Sequence, residues 1–178
     1  MARTDEFLMS EVKNGNLEEM AVIFEKYHVS IYNFFLHMGL KRDTSQDLTQ
    51  NLFYRMIKYR NSYVDGKNVR SWMYQIARNL FRDYVNEQKV NDSIITAMDN
   101  YTVDTEDEVT GFSEDDYGSL ESAIMKLPVE QRELIILSRY QGLKYNEVSS
   151  ILKMSVPAIK VKMFRAIKNL RAIYFKQI

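Results

Sequence analysis

The stretch from residue 155 to residue 173 restricts what this chain can fold into more than any other, because its apolar residues recur every three or four positions. That spacing places them on one face of an α-helix. The face consists of Val156, Ile159, Met163, Ala166, Leu170 and Ile173. Ser155 is suited to cap the helix, and Pro157 is tolerated in its first turn. From Lys153 onward the chain has seven Lys or Arg and no Asp or Glu, so the rest of this helix is basic.

A shorter helical pattern, over residues 145–152, comes directly before the basic helix. Two helices joined by a turn of a few residues, with the second one basic, are typical of a helix-turn-helix that binds DNA. A basic amphipathic helix can also pack on a core and leave its charges in water. The motif alone therefore leaves both interpretations open.

Helix-breaking residues are scarce in the whole chain, whose 178 residues include two prolines and six glycines. Apolar residues also recur at helical spacing over residues 17–38, 44–57 and 69–89. No segment shows a convincing alternation of the kind that marks a half-buried strand. The sequence therefore predicts an all-α fold.

Charge is unevenly distributed along the chain although the net charge is zero. Residues 91–120 contain nine acidic and no basic residues, whereas residues 121–178 contain 11 basic and four acidic ones. This segregation predicts two small helical domains, 1–92 and 120–178, joined by a flexible acidic linker over residues 93–119. A mobile anionic segment tethered beside a cationic helix can compete with DNA for it.

The composition argues against an enzyme and against a metal or cofactor site. The chain has no cysteine and two histidines, and His28 and His37 are too few to form a metal cluster unaided. The linker carboxylates lack the spacing of a calcium loop, and neither a glycine-rich phosphate loop nor a Gly-x-Ser-x-Gly motif occurs. We therefore expect no catalytic residue, metal or cofactor. The chain also lacks a run of about 18 apolar residues and a signal peptide, so we expect a cytoplasmic protein without membrane insertion.

Polar residues in the N-terminal half form three candidate binding surfaces. The helix over residues 44–57 exposes a polar face that either is only solvated or binds a protein. The loop over residues 59–68 combines aromatic and basic side chains, as unstacked bases require. The helix over residues 69–89 carries Gln75, Arg78 and Arg82 on one face, with Tyr74 and Phe81 interleaved. This last face is either a nucleic-acid surface or an ordinary polar surface.

Four segments of the chain match, in order and spacing, the motifs of one known family. They are Asp47-Leu48-Thr49-Gln50 with Phe53; Arg70 to Asn79 with Asp83-Tyr84; Leu127-Pro128 with Arg132 and the apolar quartet 134–137; and residues 142–170. Together they cover nearly the whole chain. In these segments the chain resembles the extracytoplasmic-function sigma factors, the small two-domain branch of the sigma-70 family of bacterial transcription initiation factors.

The resemblance implies a protein that binds core RNA polymerase and directs it to promoters. The first domain would melt and read the −10 element, and the second would read the −35 element. The β′ clamp and the β flap of the polymerase would be the docking sites, and an anti-sigma factor is the expected regulator. For the polymerase contact, the family motif points to Asp47, Gln50, Asn51 and Arg55.

The promoter contacts implied by the resemblance fall on both domains. For the −10 element and its melting, the residues are Tyr63, Lys67, Arg70, Trp72, Gln75, Arg78, Asn79 and Arg82. For the −35 element, they are Ser155, Ala158, Lys160, Val161, Lys162, Arg165 and Lys168. Extruded, single-stranded bases would be held by Asn79 and by the loop over residues 63–69.

The chain departs from the family pattern in several places. The basic run that usually follows Asp83-Tyr84 is replaced by residues 85–89, and Asn51 replaces a common Glu, so contacts with upstream DNA and with the polymerase are expected to differ. Residues 157–162 replace the usual opening of the recognition helix, so promoter preference does not transfer from relatives. Lys144 replaces a Ser cap, which is expected to cost the preceding helix about 1 kcal/mol.

Two other functions fit parts of the sequence. A stand-alone helix-turn-helix regulator would use the N-terminal helices for dimerisation or ligand sensing, and an adaptor would sequester a protein partner. A plain regulator has no reason to carry the motif from Trp72 to Tyr84 or the face that holds Asp47 and Gln50. An adaptor would function without the cationic side chains of the last helix.

Overall fold

The computed structural model describes residues 3–98 and 119–176, with side chains described over residues 3–90 and 120–176. Its helices are α1 (Asp5–Lys13), α2 (Glu19–His37), α3 (Arg42–Lys58), α4 (Val69–Met98), α5 (Ser119–Met125), α6 (Val129–Ile135), α7 (Tyr145–Leu152) and α8 (Val156–Tyr174). A short 3-10 turn, Arg60–Ser62, follows α3, and a π-helical turn, Ile136–Tyr140, continues α6. The described ranges contain no strand, so the predicted all-α fold is confirmed.

Side-chain caps fix where several helices begin. Thr4 accepts a hydrogen bond from the Phe7 amide at 3.2 Å, and Asn68 accepts one from the Ser71 amide at 2.8 Å. Ser155 caps α8 as predicted, although its bond from the Ala158 amide is long, at 3.4 Å. Such caps satisfy amides that have no partner within the first turn of a helix.

Helix α4 is longer than its sequence pattern indicated. The apolar repeat fades after Lys89, yet the helix continues to Met98. It therefore enters the segment that the charge distribution assigned to the linker, residues 93–119. Residues 99–118 lie outside the described residues. The hypothesis that this acidic segment competes with DNA concerns these residues and stays a prediction.

The first module, α1 to α4, is built around an aromatic core. Phe34 meets Tyr74 edge-on, with ring centroids 5.6 Å apart, and Phe81 is also buried. The interleaving of Tyr74 and Phe81 with basic residues had suggested an aromatic surface. Both are instead core residues. The reason is that α4 is covered on more than one side, so its buried face is wider than the apolar repeat alone indicates.

The second module packs α8 against α5, α6 and α7. Ile159, Met163 and Ala166 are the buried residues of α8, and they lie on the apolar face predicted from the sequence. The apolar quartet over residues 134–137 is buried, as expected for a central helix. The π-helical turn, which begins within this quartet, is closed by a bond from the Gln141 amide to the Ile136 carbonyl at 2.9 Å.

The two modules pack against each other and form one continuous hydrophobic core. Helix α4 packs against α7, and α2 packs against the π-helical turn. His37 of α2 and Tyr140 of this turn bring their rings within 4.4 Å of each other, centroid to centroid. In this arrangement, one side of α4 is buried by its own module and another side by the second module.

The beginning and end of α7 show how local chemistry shapes the helix-turn-helix. The Lys144 amide donates to the Glu147 carboxylate at 2.8 Å, so the helix keeps one bond of a capping box although the usual Ser is absent. Lys153 ends α7 in the left-handed conformation, with φ of 54°. This conformation brings the Cβ atom close to the backbone, which disfavours it for residues other than glycine.

Lys153→Gly is therefore expected to raise the free energy of unfolding by up to about 1 kcal/mol, because it removes the Cβ atom from a left-handed position. Urea denaturation followed by circular dichroism measures the change. Lys153→Ala is the matched control, since it removes the same side chain beyond Cβ but keeps the unfavourable contact. Equal stabilisation by both substitutions would show that the lysine charge and not the backbone conformation is responsible.

Candidate nucleic-acid interface

Helix α8 presents the residues predicted to read duplex DNA along its outer surface. Lys160, Val161, Lys162, Arg165 and Lys168 are exposed, and Ala158 is half-buried at the start of the helix. The buried face of α8 packs against α5, α6 and α7, so its cationic side chains form a ridge on the outside of the module. The major groove of B-DNA admits an α-helix, so this surface of α8 is suited to it.

The basic residues of α8 do not all face the same way. Lys162 lies on the side towards α6, where its ammonium group is 3.3 Å from the Glu130 carboxylate. Arg165 borders a small cleft on the same side, between α8 and α6. Both members of the Lys162–Glu130 pair are well exposed, and such surface pairs are weak. Lys162 is therefore able to exchange this carboxylate for a phosphate at little cost.

Phe164 is a candidate contact that sequence reasoning missed. Its ring is 72% exposed, and Val161, three residues earlier on the same face, is 52% exposed. Together they form an apolar strip between the cations of α8. Apolar side chains in the major groove recognise the 5-methyl group of thymine. The signal in the sequence was an aromatic residue that falls outside the apolar repeat of the helix.

A second candidate site is a cleft of about 350 Å³ between α3, the 3-10 turn and α4. It is lined by Arg55, Tyr59, Ser62, Trp72, Gln75, Ile76 and Asn79. The cleft therefore brings together three residues predicted to bind the −10 element, Trp72, Gln75 and Asn79. An indole, two amides and a guanidinium supply the stacking and hydrogen-bonding groups that an unstacked base needs.

Tyr63 is placed differently from its expected role. Its ring is 1% exposed and packs against Trp72 with centroids 5.4 Å apart. Its hydroxyl donates to the Lys67 carbonyl, and burial raises its pKa to about 12. Tyr63 therefore supports the loop from inside in this arrangement and has no free face for a base. The Lys67 side chain is exposed on the outside of the same loop.

The other −10 candidates on α4 fall into two groups. Asn79 and Arg82 are exposed, whereas Arg70, Gln75 and Arg78 all contact the second module. Arg70 donates to the Gln141 carbonyl at 2.8 Å, and Gln75 donates to the Ser150 carbonyl at 3.0 Å. The predicted site is therefore partly covered by another part of the same chain.

A buried contact between the modules is the ion pair of Arg78 and Glu133. The guanidinium Nε lies 2.8 Å from the carboxylate, and the side chains are 17% and 6% exposed. Burial raises the pKa of the Glu133 carboxyl, and the charges of Arg78 and Arg82 act in the opposite direction. Glu133 depends on Arg78 because a buried carboxylate without a partner is strongly disfavoured.

The polar face of α3 holds the residues predicted to bind the polymerase. Asp47 and Gln50 are exposed, and Asn51 is half-buried. Arg55 turns towards α4, where it lies 3.4 Å from Asp83 and borders the cleft. Tyr54 was not predicted, yet it lies four residues after Gln50 on the same face and is 61% exposed.

Within the described ranges, no helix is long and apolar enough to cross a membrane. In the same ranges, no three His, Cys, Asp or Glu side chains are arranged as a metal site.

Arg78→Ala is expected to lower the free energy of unfolding by about 2–4 kcal/mol, towards the low end for a broken buried pair because Arg78 keeps some contact with water. The loss should be greatest above neutral pH. It should shrink as the pH falls, because the pKa of Glu133 rises further without Arg78 and the carboxyl becomes neutral. Urea denaturation between pH 5 and pH 8 measures this dependence.

The matched control is the double variant Arg78→Met with Glu133→Leu, which removes both charges and keeps the volume. It should recover most of the stability that the single variant loses. A double variant as unstable as Arg78→Ala would show that packing, and not the unpaired carboxylate, causes the loss.

Comparison with known proteins finds two matching family models. The family model for sigma-70 region 2 matches residues 23–90, and that for sigma-70 region 4 matches residues 117–170. The ECF RNA polymerase sigma factor SigM of Bacillus subtilis is 31% identical over 85% of this chain and 93% of its own. SigX, another ECF sigma factor from the same organism, is 23% identical over 86% of this chain and 82% of its own.

Solved structures show the same fold. CnrH, determined in complex with the cytosolic domain of CnrY, superposes with a TM-score of 0.75 at 19% identity and covers 98% of this chain and 99% of its own. The sigma factor RpoE of Bartonella quintana, determined with the anti-sigma factor NepR, gives a TM-score of 0.68 at 20% identity. It covers 88% of this chain and 96% of its own. The chain therefore belongs to the sigma-70 family of transcription initiation factors, in its two-domain extracytoplasmic-function branch.

Proposed function

We propose that this sigma factor binds core RNA polymerase through α3, captures the −10 element in the cleft beside α4 and reads the −35 element with α8. The observation that carries the proposal is the cleft lined by Trp72, Gln75 and Asn79, on a chain that also carries a basic helix-turn-helix. A stand-alone regulator that binds only duplex DNA has no use for such a cleft. The family comparisons likewise favour the sigma factor over that alternative.

The cleft suits a base that has left the stack. Extruding a base from a duplex costs a few kcal/mol, and stacking and edge hydrogen bonds have to offset it. Trp72 offers an aromatic surface, Asn79 and Gln75 offer amides, and Arg55 offers a cation that can approach the phosphate. The volume, about 350 Å³, lies at the lower end for ligand pockets. Lys67 and Arg82 would hold the backbone on either side.

Helix α8 would enter the major groove with Val161 and Phe164 against the bases. Lys160 and Lys168 would hold phosphates, which position a protein without reading sequence. No catalytic step is assigned to the chain itself, because RNA synthesis belongs to the polymerase. We propose that the chain acts in the bacterial cytoplasm, where the polymerase acts.

The exposed face of α3 is the proposed contact with the β′ clamp. Asp47 and Gln50 supply charge and hydrogen bonds, and Tyr54 supplies an aromatic side chain of the type that dominates protein interfaces. The second module is proposed to contact the β flap. RpoE of Bartonella quintana was solved with the anti-sigma factor NepR, and we propose that an anti-sigma factor likewise controls this chain.

The polymerase contact is tested by co-elution of the purified chain with bacterial core RNA polymerase on a sizing column. The wild type should co-elute, and Asp47→Ala with Gln50→Ala should reduce the bound fraction at least tenfold. Glu25→Ala is the control, since it removes an exposed carboxylate from α2, outside the proposed face. Failure of the wild type to co-elute at moderate salt would overturn the proposed function.

The reading of the −35 element is tested with duplexes selected from a random pool by the wild-type holoenzyme. Phe164→Ala should weaken binding to the selected duplex severalfold if it contacts a thymine methyl, and should leave binding to a scrambled duplex unaffected. Lys160→Ala should weaken binding to both duplexes alike. It should also lower the slope of log affinity against log salt concentration by about one. Lys176→Ala serves as the charge control.

Replacing thymine by uracil in the selected duplex removes only the methyl group. The wild type should then lose affinity, and Phe164→Ala should be insensitive to the replacement. If the variant loses as much affinity as the wild type, the methyl group is read by another residue.

A further inference from the structure

The loop over residues 63–68 lies beside the cleft and keeps its shape through bonds of its own. Its first residue, Tyr63, packs on Trp72, which lines the cleft. The Tyr63 hydroxyl donates to the Lys67 carbonyl, and the Lys67 amide donates to the Val64 carbonyl at 3.1 Å. Because Tyr63 belongs to the loop and Trp72 to the cleft, a shift of the loop would also disturb the proposed base site.

Lys13, the last residue of α1, ties this loop to the rest of the first module. Its ammonium group donates to the Tyr63 carbonyl at 2.9 Å and to the Asp65 carboxylate at 3.1 Å. Asp65 and Gly66 form the turn of the loop, and Gly66 has a φ of 77°. One side chain therefore holds the loop both at its start and at its turn.

Helix α1 also contacts the chain where the loop ends. Glu6 lies seven residues before Lys13 and so on the same face of α1. Its carboxylate is 3.5 Å from the Val69 amide, at the beginning of α4. This bond is long, but it shows that one face of α1 follows the loop from one end to the other.

The pair of Lys13 and Asp65 is not explained by stability alone. The two side chains are 27% and 57% exposed, and such pairs add little to the free energy of unfolding. Asp65 is the only acidic residue in the segment 59–68. An unpaired carboxylate beside the proposed strand site would repel phosphates, and the Lys13 ammonium compensates its charge.

We propose that Lys13 is a positioning residue for capture of the melted strand, which holds the loop over residues 63–68 in place beside the cleft without contacting the strand itself. The inference rests on the proposed function, because that function assigns the cleft to the −10 strand. A site that is already in its binding conformation loses less freedom when its ligand binds. Releasing the loop should therefore impair strand capture and leave duplex binding by α8 unchanged.

The proposal is tested with Lys13→Met, which removes the ammonium group and keeps an unbranched side chain. Lys26→Met is the matched control, because the Lys26 ammonium pairs with Asp5 of the same helix at 2.6 Å and not with the loop. Asp65→Ala is a second test variant, which removes one of the two acceptors of Lys13 and keeps the test valid if Lys13→Met does not fold.

The first measurement follows the loop in the free chain. Trp72 is the only tryptophan of the protein, so its fluorescence reports on the ring that Tyr63 covers. Lys13→Met should raise the constant for quenching of this fluorescence by acrylamide at least one and a half times. Lys26→Met should match the wild type.

The second measurement separates duplex binding from melting. Each variant is assembled with core RNA polymerase on a promoter duplex selected from a random pool by the wild-type holoenzyme. Permanganate oxidation of unpaired thymines then gives the rate of melting, and retention of the duplex in the cold gives the affinity before melting. Lys13→Met and Asp65→Ala should slow melting at least fivefold and change the affinity before melting less than twofold. A general loss of folding would lower both quantities together.

The salt dependence distinguishes positioning from a direct contact. If Lys13 held a phosphate, Lys13→Met would lower the slope of log affinity against log salt concentration for the melted complex by about one. A positioning role leaves that slope unchanged.

Three results would overturn the role of Lys13. They are a lowered salt slope, melting at the wild-type rate by both test variants, and an equal loss of duplex affinity and melting rate. In each of them the wild-type holoenzyme still melts the duplex, so the proposed function stands. A wild-type holoenzyme that binds the polymerase but melts no duplex would instead overturn the proposed function, and the role of Lys13 with it.

Discussion

Helix α4 has to bury residues on two sides at once, and the arrangement of the whole chain follows from that requirement. Val69, Met73 and Ala77 are buried, and α4 packs against α1, α2 and α3 of the first module. On its other side, α4 packs against α7, and Arg78 meets Glu133. A helix with one buried side would have left Tyr74 half-exposed and Arg78 in water. The second module supplies both the apolar cover and the carboxylate that make this packing stable.

The sequence predicted where the helices lie, but it did not predict which residues of different helices contact each other. The apolar repeats predicted α2, α3, α4 and α8, because burying one face is a local property of a helix and its pattern. The partner of Arg78 lies 55 positions later in the chain, and nothing local to either residue indicates the pair. Glu133 stands just before an apolar run, where a solvated carboxylate is the ordinary expectation. Only the packing of the modules determines that it is buried.

The candidate sites show the same division between local and tertiary information. The cap of α8 and its basic surface were predictable, since they depend on residues within one helix. The family resemblance supplied Trp72, Gln75 and Asn79, and the fold brings them to one cleft. Tyr63 was less predictable, because an aromatic residue in a loop can face either solvent or core. Its ring lies against Trp72 and so stabilises the loop that borders the cleft.

The π-helical turn at the end of α6 determines which way the next residues point. Its bond from Gln141 to Ile136 spans one residue more than an α-helical bond, so the turn holds one extra residue. Tyr140 and Gln141, which come at its end, are the residues that meet α2 and α4. Deleting a single residue from this turn would restore α-helical phase and rotate both side chains away from the first module by about 100°, the angle between successive residues of an α-helix. The register of one short turn thus contributes to the relative orientation of the modules, because a one-residue change in its length would turn away the two side chains that contact α2 and α4.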